Sequence, residues 1–332
     1  MANETASEAV EETSTKNKKF TLGELAVASI QKHFQKSIKH EEEIFTDKDP
    51  EPLHQMRVGM RRLRTSLMMF APFISLSVEQ ERDITKISKS LGSVRDLDVL
   101  GIWLQAFISN SELNEVESKQ VEKVLQCLNR RREKQFKQMC KTLRGKRYGQ
   151  FVEEFQEWLT NPRFQAGADW PIHLVLPDLL LPLINQLLLH PGWLAAIADP
   201  IEEWSPNRAI SENQIEIHLA ESGTVLHDLR KQSKQVRYQT ELFKDFYDSA
   251  YTEQTLEFGT IQDILGQLQD SRVFSDFLTL EIGSQWEKAM PTLAFYMQKQ
   301  HVELWQQWQT IQQKYLNAEF RDTLRLLILR PL

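Results

Sequence analysis

Cysteine, glycine and proline are scarce in this chain, and each scarcity excludes something. Two cysteines occur in 332 residues, Cys127 and Cys140. Within one helix their separation amounts to roughly 20 Å, beyond the reach of a disulfide. Two thiols also cannot build a four-cysteine metal framework, and such usage suits a reducing cytoplasm. Twelve glycines and twelve prolines are too few for the many tight turns of a β-sandwich or barrel. Positive charge is not in excess either: the formal net charge is -6, so the chain is no basic nucleic-acid coat. Any anion site must be a local concentration of cations.

Long apolar runs are lacking too. Residues 1–19 are polar and have no apolar core like that of a signal peptide, so they read as a disordered tail. The most apolar stretch, Pro171 to Ala198, is interrupted by Pro177, Pro182, Pro191, Asp178 and His190. It falls short of a clean run of about 18 apolar residues, and a buried helix pair broken around His190-Pro191-Gly192-Trp193 is expected instead of a membrane span.

What is present is helical periodicity. Apolar residues at helical spacing predict a helix from Thr21 to about Phe45 and another from Glu51 to Phe70, started by Asp49-Pro50-Glu51-Pro52. Helices over Val78–Ser90 and Arg95–Ile108 are expected on either side of Leu91-Gly92, a break or close-packing point. A long charged helix covers Ser111 to Leu143, and Phe151 to Leu159 closes the first half. A loop-rich segment follows from Pro162 to Asn213, and Ile215-Glu216-Ile217 just beyond it resembles a short strand without a partner. Further helices are expected over 221–248, 253–265 and 270–281.

One pattern occurs twice. His54-Gln-Met-Arg57-Val-Gly-Met-Arg61-Arg62-Leu-Arg64 is matched 173 positions later by His227-Asp-Leu-Arg230-Lys-Gln-Ser-Lys234-Gln-Val-Arg237. A second pair, Leu91-Gly92-Ser-Val-Arg95-Asp96 and Leu265-Gly266-Gln-Leu-Gln269-Asp270, follows at an offset of 174. Two ordered matches at nearly one spacing imply duplication of a helical unit, about 20–160 and 214–332, joined by a connection over 161–213.

On a helix, His54, Arg57, Arg61 and Arg64 share one face, as do His227, Arg230, Lys234 and Arg237. A third cationic face, Arg130, Lys134, Lys137, Lys141 and Arg144, lies on the long helix. Arginine forks onto phosphate oxygens and lysine adds a point charge. Like charges at these spacings repel unless acids or an external anion balance them. Asp96, Asp98, Asp263 and Asp270 are the candidate internal partners. A rival reading makes the same four acids the Mg²⁺ ligands of a phosphohydrolase. A nucleic-acid-binding module is disfavoured by the acidic net charge and by the lack of an aromatic platform.

These motifs, in this order, resemble the CHAD proteins, named for a histidine-containing α-helical domain. The resemblance covers about Thr21 to the C-terminus. It implies an all-α fold of two four-helix bundles related by pseudo-two-fold symmetry, with basic residues lining a central groove or pore. It also implies binding of inorganic polyphosphate, free or in granules, with no cofactor and no catalysis. By position, the groove residues would be His54, Arg57, Arg61, Arg62, Arg64, His227, Arg230, Lys234 and Arg237, flanked by Arg130, Lys134, Lys137, Lys141 and Arg144. Gln235 stands opposite Arg62, and Trp305 to Gln313, opposite the Arg130 face, is poor in cations. The groove is therefore expected to be asymmetric. Many relatives are fused to a triphosphate tunnel metalloenzyme domain marked by Glu-x-Glu-x-Lys. Glu115-Val-Glu117-Ser-Lys119 matches that string, but it sits in a helical pattern, so the chain resembles the stand-alone form.

Overall fold

A computed structural model describes residues 20–197 and 211–332. The expected tail and residues 198–210 of the connection lie outside the described residues. The fold is all-α, with no strand among the described residues. The helices are α1 (Leu22–Ile38), α2 (Glu41–Ile44), α3 (Glu51–Phe70), α4 (Val78–Ser109), α5 (Glu115–Leu143) and α6 (Lys146–Thr160). They continue with α7 (Ile172–Leu188), α8 (Glu212–Glu241), α9 (Ser249–Ile282), α10 (Trp286–Ala289), α11 (Pro291–Leu316) and α12 (Ala318–Ile328).

The chain divides into two compact units. The first runs to Asn110 and resumes over Leu125–Val175; the second takes Ser111–Val124 and Leu176–Leu332. In the first unit α1 packs on α3, α3 on α4, and α4 on α6. Phe34 stacks on Phe155 at 4.6 Å between ring centroids, and Phe151 and Trp158 extend this core. In the second unit α9 packs on α8 and α11, and α11 on α12. Trp193 stacks between Trp308 and Tyr315 at 5.2 and 4.6 Å. Gln312 donates to the carbonyls of Trp193 and Ala195, both at 2.8 Å, and so ties down the 3₁₀ turn Pro191–Leu194.

Several boundaries differ from the sequence reading. The first helix stops at Ile38 rather than Phe45, because α2 turns to bury Ile44 and to bring Glu41 to the Tyr148 hydroxyl, 2.8 Å away. The chain is helical straight through Leu91-Gly92 and again through Leu265-Gly266. An interior glycine costs about 1 kcal/mol in a helix, less than the burial of Leu91 and Val94 beside it returns. Ile215-Glu216-Ile217 is helical, not a strand, and α8 begins at Glu212 under a capping box of Ser211 and Gln214.

The apolar stretch holds one α-helix, α7, followed by the 3₁₀ turn, in place of a helix pair. Pro177 and Pro182 lie inside α7. Ile172, Leu176, Leu180, Ile184 and Leu187 are fully buried along one side, which offsets the roughly 3 kcal/mol that each interior proline costs. By length and composition alone Ile172–Leu194 is apolar enough to cross a membrane, contrary to the sequence reading, although part of it is core. Glu115-Val-Glu117-Ser-Lys119 is helical as expected, with Glu117 buried and accepting from the Thr292 amide and hydroxyl at 2.7 and 2.8 Å.

Candidate functional site

The first cationic ladder rides on α3. Met56, Met60, Leu63 and Leu67 bury one side of that helix. Gly59 allows close approach to α1: a Cβ there would stand 2.7 Å from Ser37 backbone atoms. The apolar side fixes the rotation of α3, and the period of 3.6 then fixes where the cations point. His54, Arg57, Arg61 and Arg62 are half-buried and Arg64 is exposed. Arg57 donates to Asp96 of α4 at 2.9 Å. Gly92, one turn before Asp96, lies beside the same guanidinium, with Arg57 Nε 3.9 Å from the place of a Cβ. The Leu-Gly pair therefore flanks an arginine and does not end a helix.

His54 buries Nδ1 without a hydrogen-bond partner. Its pKa is lowered, chiefly by burial and then by Arg95, Arg61 and Arg57, with Glu51 opposing. The ring is held neutral near pH 7. Arg95 belongs to the recurring Leu-Gly motif, yet the sequence reading gave it no place in the site. It is half-buried on α4, with no ion pair among the described residues.

The second ladder rides on α8, where Leu226, Leu229 and Val236 are buried and His227, Arg230, Lys234 and Arg237 are half-buried. Here the pairing differs. Arg230 has no ion-pair partner among the described residues and lies 4.0 Å from the place of a Gly266 Cβ. Arg237 is held internally by Glu241 at 3.2 Å and Gln262 at 3.4 Å. Its guanidinium also crosses Gly259, where a Cβ would come within 3.1 Å of Cζ. His227 repeats the behaviour of His54. Its Nδ1 is buried without a partner, and its pKa is lowered by burial, then by Lys231, Arg230 and Arg272 against the pull of Asp228.

The third face is the most open. Arg130, Lys134, Lys137 and Lys141 are exposed on α5, opposite the buried Val124, Leu128, Met139 and Leu143, and Arg144 is exposed just past its end. Lys137 meets Glu133 at 2.6 Å in a solvated pair, and Arg144 lies over the Phe45 ring at 4.4 Å. Arg130 donates to Gln126 O and Cys127 Sγ, both at 3.3 Å. Arg132, off this face, does a different job. It donates to both oxygens of Asp47 at 2.6 and 2.7 Å and to Asp98 at 2.7 Å.

Three of the four acids divide among different partners. Asp96 answers a ladder arginine as expected, but Asp98 is taken by Arg132 instead, and Asp263 accepts from Gln262 at 3.3 Å. Among the described residues no group of three or more His, Cys, Asp or Glu side chains is arranged to hold a metal ion. Asp96 and Asp98 each face a different guanidinium.

Comparison with known proteins follows the same lines. The CHAD domain model matches residues 28–279. The CHAD domain from the plant Ricinus communis is 20% identical over 94% of both chains, with a TM-score of 0.55. PptA from Streptomyces chartreusis is 14% identical over 92% of this chain and 99% of its own, with a TM-score of 0.60. At such identities the two structures show a shared fold alone. No curated protein matches the chain.

Proposed function

The chain belongs to the CHAD family, and on that premise we propose that its cationic helix faces bind inorganic polyphosphate and do no chemistry on it. The observation that carries this reading is the twice-built ladder, in which buried apolar sides set arginines and lysines beside a half-buried histidine on the other face. Arg64 and Arg230 have no ion pair among the described residues, nor do Lys134 and Lys141 on α5. A chain of phosphates supplies the missing negative charge at regular intervals, with guanidinium forks on the oxygens and lysines as point charges. His54, Arg57, Arg61, Arg62, Arg64, His227, Arg230, Lys234 and Arg237 are the proposed contacts, together with Arg130, Lys134, Lys137, Lys141 and Arg144. Binding takes place in the cytoplasm, to dissolved polyphosphate or to granules.

Titration of the full chain with long-chain polyphosphate tests this. Affinity is expected to fall log-linearly with salt as counterions are released. The combined Arg57→Ala and Arg230→Ala variant is expected to weaken binding and flatten that slope. An unchanged affinity rejects the ladders as the site. DNA competing as well as polyphosphate at physiological salt would favour a nucleic-acid reading.

A further inference from the structure

We infer that the second unit carries a pocket, bordering the α8 ladder at His227, for a small amphipathic anion: an apolar body bearing one terminal oxyanion, a carboxylate or a phosphate monoester. The cavity has a volume of about 760 Å³ and lies among α8, α9, α10 and α11. That is the size of a small-molecule site, and such sites are mostly apolar with a few placed polar groups. Leu219, Leu226, Leu268, Trp286 and Met297 supply apolar wall, and Phe295 stands 68% exposed on the lining. A phenylalanine in that position is costly to leave in water and serves to cover an apolar ligand.

The polar groups are few and ordered. Ser271 Oγ and His301 Nε2 are 2.7 Å apart, and His301 Nδ1 and Glu216 Oε1 are also 2.7 Å apart. This spacing imitates a nucleophile, base and acid. Acyl transfer also needs donors for the oxyanion, and Ser271 sits deep inside α9, where backbone N–H groups are spent on the preceding turn. The three side chains instead tie α8, α9 and α11 together and hold the cavity open. Glu216 is thereby engaged, leaving Glu287 as the other acid on the lining.

The cation is Arg272. It lines the cavity, is exposed, and has no ion-pair partner among the described residues. Its guanidinium lies across α8 at Gly223, where a Cβ would stand 2.2 Å from Nη1. Gly223 is interior to α8, a position that costs about 1 kcal/mol relative to alanine. Absence of a side chain there gives the guanidinium its bed. One unpaired fork above an apolar cavity suits a ligand with one anionic end. Glu287 disfavours a second anionic group elsewhere on the ligand.

Calorimetric titration of the full chain with dodecanoate, dodecyl phosphate and dodecanol tests the pocket. At least one anion is expected to bind saturably, one per chain, and about ten-fold more tightly than dodecanol. The better of the two anions identifies the head group. Arg272→Gln is expected to weaken the anions by about ten-fold and to leave dodecanol unchanged. Ala294→Trp, on the cavity wall, is expected to abolish binding of all three while polyphosphate binding persists, which separates this site from the ladders. Absence of saturable anion binding overturns the proposal. So does anion binding that is no tighter than that of dodecanol and indifferent to Arg272→Gln, a surface change that spares the fold.

Discussion

The two ladders carry nearly the same residues, and they differ in which cations are already answered. On α3 the second member, Arg57, is paired with Asp96 and the last, Arg64, is exposed and without an ion pair among the described residues. On α8 the second member, Arg230, has no such partner and the last, Arg237, is held by Glu241 and Gln262. The surroundings diverge further. The first unit adds the exposed cations Arg130, Lys134, Lys137 and Lys141 on α5 and Arg144 just past it, whereas α11 in the second unit buries Trp305, Trp308 and Tyr315 and borders a cavity. The cations recur in both ladders, while the acids and neighbours that decide their availability differ. Charge type alone therefore does not identify the binding residues; the pairing does.

The largest effect expected of breaking this comparison is on stability, in the first unit. Arg132 holds Asp98, whose side chain is only 7% exposed. Arg132→Ala strands that carboxylate and should lower stability by about 3 kcal/mol in urea unfolding. Adding Asp98→Ala should recover part of the loss.

Next is a pH effect at His33, which is buried on α1. Its pKa is lowered from 6.5 to about 4 by burial, and then by Arg62, Lys32 and Lys36. As pH falls through that window the unfolded chain takes the proton first, so stability drops by on the order of 3 kcal/mol between pH 6.5 and 4. His33→Gln should flatten that segment of the stability profile. A profile unchanged by His33→Gln would show that other groups carry the acid sensitivity.

Smaller effects concern the ladders. Arg230→Ala should weaken polyphosphate binding by about ten-fold, and Arg57→Ala by less, because Asp96 already neutralises Arg57. Asp96→Ala should tighten binding. Equal losses at the two arginines would erase the distinction between the units.

The smallest effects test the glycines. Gly92→Ala and Gly266→Ala should each stabilise by up to about 1 kcal/mol, since a Cβ would meet its arginine at ordinary contact distance. Gly59→Ala should destabilise, because Ser37 backbone stands in the way. Thermal unfolding of the three variants measures this contrast.

Much of the fold was legible in the sequence. The periodicity marked the main helices, and the offset of 173 marked the recurring ladder. The errors share a cause. Local rules for glycine and alternation allow a break at Leu91-Gly92 and a strand at Ile215-Glu216-Ile217, but buried neighbours outweigh a glycine and both segments are helical. The capping box at Ser211 and Gln214, readable in the sequence, was the better guide to α8. Arg95 was visible in the recurring motif. Arg272 belongs to no ladder and carried no spacing signal; only its place across Gly223 reveals it.

By itself the sequence determined that the chain is helical, that the cation ladder occurs twice, and which face of each helix bears it. Those follow from the helical period, which maps residue spacing directly onto faces. Only the tertiary structure decided which cations remain available and where a cavity opens. The reason is that pairing joins distant residues: Arg57 and Asp96 are 39 positions apart, and Arg132 and Asp47 are 85.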